Sequence, residues 1–176
     1  MTTPGGNAAR APWRVATIFL VSFFLLQLAW NQLRGSPLER WVIDQCTVRV
    51  NVALINALTS HAQALAAGPR IVAPGGGINV RRGCEGTEIL FPLIAALLAY
   101  PLRWQVRALG LLGGMLLVFL LNQLRLLLLF YSIRNTPTLF AQLHGLIAPL
   151  ALIACTLMFY MMLLAFDRHL SVAVRH

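Results

Sequence analysis

The hydrophobic positions of this chain fall in long, nearly uninterrupted runs. A hydrocarbon core of roughly 30 Å needs about 20 helical residues to cross it. We therefore predict about four transmembrane helices, over residues 15–33, 88–102, 106–132 and 144–166. The second run is short, so we expect it to recruit residues upstream of Glu88 to complete its crossing.

A more polar segment, residues 34–87, separates the first two runs. From Leu38 to Ala66 the pattern predicts an amphipathic helix that lies on the membrane or on the other spans. Its apolar stripe consists of Val42, Cys46, Val50, Leu54, Leu58, His61 and Leu65. The stretch "RIVAPGGGINVRRG" then offers two short β-prone runs around a Pro-Gly-Gly-Gly turn, which predicts a small hairpin leading to Cys84.

Composition places the chain among integral membrane proteins, because 59% of its residues are hydrophobic and only 11% are charged. The fold class we expect is an all-α integral membrane protein. The formal net charge is +9, and every basic residue is an arginine. Several arginines flank apolar runs and none forms a basic stretch interleaved with aromatics, so membrane topology explains the charge better than nucleic acid does.

The arginines in short loops predict the orientation of the spans, because such residues favour the cytoplasmic side. Both termini are then cytoplasmic, as tails of residues 1–14 and 167–176, and residues 15–166 form a single membrane domain. Segment 34–87 is placed outside although it carries six arginines, since its length is near the limit of the rule. A cleaved signal peptide is the alternative for the first run, but no small-residue cleavage pattern follows it, which favours a retained anchor. The arginines used here are Arg10, Arg14, Arg103, Arg107, Arg168 and Arg175.

This topology predicts that three polar side chains meet at one depth near the outer surface. Cys84 lies just before the second span. In the third span, about 19 residues at 1.5 Å each carry Arg125 some 28 Å from the cytoplasmic end. His144 lies in the first turn of the fourth span. A thiol, a guanidinium and an imidazole are thus expected in one layer.

The surroundings of Cys84 favour a reactive thiol. Gly83 and Gly86 allow close approach of the backbone. A helix N-terminus and the neighbouring Arg81 and Arg82 favour the thiolate. Cys84 is therefore the candidate nucleophile.

Arg125 lies within an apolar span, where insertion of an arginine costs roughly 2.5–3.5 kcal/mol, so it is expected to face protein or a water-filled cavity. Gly110 and Gly114 form a small-residue face on the same helix, which suggests that Arg125 points toward the other helices. Asn122, one turn earlier, is predicted to orient Arg125 by a hydrogen bond.

Structural roles compete with the functional ones. Cys155 and Cys46 can be small buried hydrophobes, and Cys46 can instead form a disulfide with Cys84 in an oxidising compartment. Arg125 can snorkel to the interface, and His144 can be an interfacial residue. The Cys and His spacing matches no zinc pattern, so neither a metal nor another cofactor is expected.

Three motifs, "GCEGTEIL", "NQLRLLLLFY" and "QLHGLIAPL", occur in this order over consecutive predicted spans. They resemble the exosortase and archaeosortase family, whose pattern is a cysteine followed two residues later by glycine, an Asn-x-x-Arg in the next span, and a histidine at the start of the following one. The resemblance covers roughly Ala53 to Phe166 and is closest to the compact exosortase H branch.

The resemblance implies a membrane-bound cysteine endopeptidase or transpeptidase in the bacterial cytoplasmic (inner) membrane, with its site facing outward. Its substrates would be exported proteins with a C-terminal sorting signal, which consists of a short motif, a transmembrane helix and a basic tail. The matching positions imply Cys84 as nucleophile, Arg125 as transition-state stabiliser and His144 as general acid and base, with Asn122 and Gly86 in support. A thiolate, an imidazole and a guanidinium suffice for this chemistry.

The chain departs from the family pattern after the cysteine. Many relatives carry Ser or Asn there and a large aliphatic residue after the glycine, whereas this chain has Glu85 and Thr87. A carboxylate next to a thiol disfavours the thiolate unless it is paired, and Arg81 or Arg82 is the expected partner.

Two other function classes stay open from sequence. A thiol redox membrane protein would use Cys46 and Cys84 as a pair. A non-catalytic assembly factor for envelope polysaccharide or secretion would need neither thiol. The sequence predicts membrane lipid and exported proteins as partners and no nucleic acid, and it leaves the oligomeric state open.

Overall fold

The computed structural model describes residues 11–80 and 83–173. The expectations that involve Arg10, Arg81, Arg82 and Arg175 lie outside these residues. Within them the chain is mostly helical, with one small sheet. The helices are α1 (Pro12–Gln32), α2 (Pro37–Arg40), a π-helical stretch (Trp41–Arg49), α3 (Val50–Leu58), a 3₁₀ turn (Ser60–Ala62), α4 (Thr87–Ala99), α5 (Trp104–Asn135), α6 (Pro137–Gln142), a second π-helical stretch (Leu143–Ile147) and α7 (Ala148–Ala173).

Three helical segments of the described chain are long and apolar enough to cross a membrane, namely Pro12–Gln32, Trp104–Asn135 and Thr138–Val172. The all-α membrane architecture is therefore confirmed. The second predicted span corresponds to α4, whose 13 residues extend about 20 Å at 1.5 Å per residue, which is less than a hydrocarbon core.

The expectation that the second run recruits residues upstream of Glu88 to complete its crossing is not met, because α4 begins at Thr87, only one residue earlier. Gly86 adopts a left-handed backbone with φ of 90° immediately before the helix, so the helix cannot continue through it. At the other end Tyr100 is extended, as expected for the residue before Pro101. Glycine and proline thus limit α4 from both sides.

The last long helix begins earlier than the apolar run predicts. Pro137 lies in its first turn, where a proline is favoured because its fixed φ suits a helix and its missing N–H is not needed. The helix then continues through the second π-helical stretch into α7 and extends beyond Phe166 to Ala173, the last residue that the structure describes. His144 is consequently about two turns inside the helix and not in its first turn.

The predicted amphipathic helix over residues 38–66 is wrong in both length and buried face. The helix ends at Leu58, so His61 lies in the 3₁₀ turn and Leu65 in a strand. The buried residues are Ile43, Thr47, Val48, Asn51 and Ile55, whereas Leu54 and Leu58 are exposed. The wider π-helical turn over Trp41–Arg49 changes the phase of the helix, which a 3.6-residue period does not anticipate.

The predicted hairpin around the glycine-rich turn is confirmed, and it belongs to a larger sheet. Strands β1 (Leu65–Ala67), β2 (Arg70–Val72) and β3 (Ile78–Asn79) form an antiparallel sheet in the order β1-β2-β3. Ile71 pairs with Ile78 in the hairpin and with Ala66 on its other side. The sequence pattern missed β1, whose first two residues fall within the predicted amphipathic helix.

Two hydrophobic cores lie at different positions along α5. The bundle core joins α4, α5 and α7 through residues such as Leu97, Val118 and Leu163. A Cβ on Gly110 or Gly114 would collide with leucine side chains of α4 or α7, so the predicted small-residue face of α5 is where these helices approach closely. The second core joins the π-helical stretch, α3 and the sheet to the last third of α5, and it contains Cys84.

Candidate active site around Cys84

Cys84 lies in a tight turn between the sheet and α4. The flanking Gly83 and Gly86 have φ of 88° and 90°, a region that glycine adopts without steric penalty. A Cβ on Gly86 would lie 3.3 Å from Cγ of Asn122, so this glycine also lets the turn approach α5. The predicted supporting role of Gly86 thus corresponds to a positive φ and a close contact.

Asn122 fixes this turn to α5. Its Nδ2 donates a 2.8 Å hydrogen bond to the backbone carbonyl of Cys84. Asn122 is 2% exposed and Cys84 is 7% exposed, so the bond satisfies a carbonyl that water does not reach. The sequence predicts that Asn122 orients Arg125, but in the structure its amide holds the cysteine backbone instead.

Cys84 and His144 line the same cavity of about 320 Å³. The walls come from the sheet, from one face of α5 and from the helix that carries His144. His144 is exposed on this surface, and its ring stacks on Phe140 with centroids 5.6 Å apart and planes 3° from parallel. The other lining residues are Gly77, Ile78, Asn79, Leu126, Leu129, Ile133 and Phe140.

Arg125 is buried beside this cavity. It is 7% exposed, which argues against the snorkelling alternative. Its neighbour Leu126 lines the cavity and Asn122 lies one turn earlier, but Arg125 is not among the lining residues in the described chain. Its Nε has no hydrogen-bond partner there. A buried N–H without an acceptor is unfavourable.

The structure shows what Glu85 contacts. Its Oε1 accepts hydrogen bonds from Nε1 of Trp30 at 3.2 Å and from Oγ1 of Thr87 at 3.0 Å. Glu85 also lines a second cavity, of about 490 Å³, that lies between the turn and α1. Glu85 therefore attaches α1 to the turn, and its carboxylate belongs to a different cavity from the one that Cys84 lines.

Sequence reasoning missed a buried polar contact that docks the π-helical stretch and α3 onto α5. Nδ2 of Asn51 donates to the backbone oxygen of Gln123 at 2.8 Å and to its Oε1 at 3.1 Å. Nε2 of Gln123 in turn donates to the Cys46 carbonyl at 3.2 Å. The available signal was Gln123 itself, an amide within an apolar span, since polar residues there commonly hydrogen-bond to a neighbouring helix.

The three cysteines all lie in the described ranges, and none forms a disulfide. Cys46 and Cys155 are partly buried. Among residues 11–80 and 83–173, no group of three His, Cys, Asp or Glu side chains could hold a metal ion.

Several of the arginines that predicted the orientation of the spans lie at the end of the bundle opposite Cys84. Arg107 donates to the carbonyls of Leu97 and Tyr100, where α4 ends. Asp167 of α7 lies beside the backbone of Arg103. Trp30 near the end of α1 reaches Glu85, so Arg14, 16 residues earlier, lies about 24 Å away along the helix.

These features define a class of protein: a helical membrane protein that gathers a thiol, an imidazole and a buried guanidinium at one end of its bundle. The sequence model of the transmembrane exosortase family (Exosortase_EpsH) matches residues 1–161, and the chain belongs to this family. The expected family membership is thereby confirmed, and the exosortase H subtype stays a prediction. No curated protein and no solved structure matches the chain significantly.

Proposed function

We propose that this protein is a membrane cysteine endopeptidase or transpeptidase that cleaves the C-terminal sorting signals of exported proteins. The observation that carries the proposal is the shared cavity of Cys84 and His144, which come from separate elements and are far apart in sequence. Membership of the exosortase family supports the same reaction class. Arg125 is buried on α5, one turn after Asn122, and supplies a cation for this chemistry.

In the proposed reaction His144 accepts the proton of the Cys84 thiol, and the sulfur attacks the carbonyl carbon of the scissile peptide. Arg125 donates to the oxyanion that forms. His144 then returns the proton to the leaving nitrogen as the C–N bond breaks, which leaves the acyl group on sulfur. Water or an amine attacks this thioester and regenerates the thiol.

The arginines at the far end of the bundle support a cytoplasmic position for that end, by the preference of arginine for cytoplasmic loops. The Cys84 end then faces outward from the bacterial cytoplasmic membrane. A substrate held by its own transmembrane helix presents the adjoining peptide at this interface. Anchoring both partners in one bilayer removes part of the entropic cost of orientation.

The test uses a reporter protein whose C-terminus carries a short motif, an apolar helix and an arginine cluster taken from the same genome. We expect membranes with the wild-type chain to cleave it. Cys84→Ala and Arg125→Lys should abolish cleavage while the protein stays in the membrane, since a lysine cannot reproduce the guanidinium fork. Cys46→Ser should cleave normally.

Other outcomes support the competing functions. If Cys46→Ser were as damaging as Cys84→Ala, a thiol redox protein would be favoured. If both Cys84→Ala and Arg125→Lys kept full function, a non-catalytic assembly factor would be favoured. Either result would overturn the peptidase proposal.

A further inference from the structure

An apolar groove of about 430 Å³ runs along the bundle between α1, α4 and α7. Phe19 of α1 forms one wall, Pro92 and Ala96 of α4 form the floor, and Ile153 and Thr156 of α7 form the other wall. Along α4 it extends from Glu88 to Ala96, which is about 12 Å or two helical turns. The groove lies within the membrane-spanning part of the fold.

The groove leads toward the turn that carries Cys84. Glu88 lines both this groove and the 490 Å³ cavity beside α1. Gly83 and Glu85, the two residues that flank Cys84, line that second cavity. A chain that leaves the groove at Glu88 therefore arrives at the turn that carries Cys84.

The walls carry features that suit a helix better than a lipid chain. Thr156 is 7% exposed, and its Oγ1 has no hydrogen-bond partner among the described residues. Pro92 has no N–H to donate to the Glu88 carbonyl four residues earlier. Hydroxyls and small residues such as Ala96 are typical of contacts between transmembrane helices, because they allow hydrogen bonds and close approach. An acyl chain offers no hydrogen-bonding group.

We propose that this groove binds the transmembrane helix of the sorting signal. The inference rests on the proposed function and adds the surface on which the substrate is held. A helix seated along α4 and α7 ends its apolar part near Glu88. The peptide just outside that helix then lies at the turn of residues 83–86, which carries Cys84.

Photocrosslinking in membranes tests the contact directly. The photoreactive amino acid p-benzoylphenylalanine replaces Ile153 in the groove or, as the matched control, Leu112 on the exposed face of α5. Both full-length proteins also carry Cys84→Ala so that the reporter is bound without being cleaved. We expect a crosslink to the reporter helix from position 153 and none from position 112.

A groove-filling substitution tests the consequence for cleavage. Ala96→Phe should raise the KM for the reporter at least about tenfold, which corresponds to 1.4 kcal/mol of binding energy. Leu98→Phe, on the exposed side of the same helix, should leave KM unchanged. Labelling of Cys84 by a small maleimide should proceed at the wild-type rate in both variants, which shows that the turn is intact.

The outcomes separate the groove from the peptidase activity. Three results, each obtained while the wild type cleaves the reporter, would contradict helix binding in the groove. They are no crosslink from position 153, equal crosslinking from position 112, or a crosslink from position 153 to lipid. An unchanged KM in Ala96→Phe would also overturn it. A crosslink from position 153 with no cleavage by the wild type would instead overturn the proposed function and leave the groove as a helix-binding surface.

Discussion

Asn122 donates a 2.8 Å hydrogen bond from its side-chain amide to the backbone carbonyl of Cys84. This bond joins the turn before α4 to α5, the helix that also carries Arg125. One rigid helix therefore determines the positions of both the thiol and the guanidinium. The site is built around α5, and disturbing this contact should affect the chemistry more than the fold.

We predict that Asn122→Leu lowers kcat for the reporter by about 100-fold, because a displacement of about 1 Å in a catalytic group can have that effect. The Cys84 carbonyl also loses its buried donor, which should reduce stability by about 1–3 kcal/mol. Rates in membranes and thermal denaturation in detergent measure the two effects. Wild-type kcat in this variant would show that the hydrogen bond does not position the thiol.

Gly86→Ala tests the turn itself. A side chain at this φ of 90° and within 3.3 Å of Asn122 should destabilise the protein by about 1–2 kcal/mol and reduce cleavage. The matched control is Gly113→Ala on α5, where a Cβ would make only ordinary contacts with Phe159. Equal effects of the two substitutions on cleavage would contradict the account of this turn.

Glu85→Ala tests whether the carboxylate attaches α1 to the turn rather than changing the reactivity of the Cys84 thiol. The variant leaves Nε1 of Trp30 without its acceptor, so we expect a loss of about 1–2 kcal/mol in stability. Trp30→Phe should give a similar loss. The rate at which a small maleimide labels Cys84 should stay close to the wild-type value in both. A large change in that rate for Glu85→Ala alone would mean that the carboxylate acts on the thiol.

The contact between Asn51 and Gln123 predicts coupled substitutions. Asn51→Leu and Gln123→Leu each leave a buried amide without its partner, and each should lower stability by about 1–3 kcal/mol. The stability lost in the double variant should be smaller than the sum of the two single losses, since the double variant removes both amides. Thermal denaturation of the four proteins measures this coupling. Additive effects would show that the two side chains do not interact.

The sequence predicted the membrane architecture well because long apolar runs have few alternatives to helices in lipid. It also located the candidate chemistry, since Arg125 and Asn122 are conspicuous within an apolar span. Cys84 and His144 line one cavity as the order of the motifs suggested, whereas Arg125 lies behind that cavity rather than on its wall.

The errors have local physical causes. The π-helical stretch rotates the buried face of residues 41–55 away from the apolar stripe, and the buried Asn51 finds its partner 72 residues later in α5. The hydrophobic pattern of a short sequence segment predicts neither the π-helical turn nor a hydrogen-bond partner so distant in sequence. Strand β1 has only three residues, too few for alternation to be recognised. The start of the last helix at Pro137 was missed because the polar Gln142 and His144 interrupt its apolar run.

The most direct test of the central claim is to trap the acyl-enzyme. Wild-type membranes are incubated with the reporter, quenched in acid and analysed by peptide mass mapping. The proposed reaction predicts a hydroxylamine-sensitive thioester on Cys84 that carries the reporter sequence up to the cleavage site, and neither adduct nor cleavage in Cys84→Ala. Cleavage that proceeds in Cys84→Ala, with no adduct on Cys84 in the wild type, would contradict it.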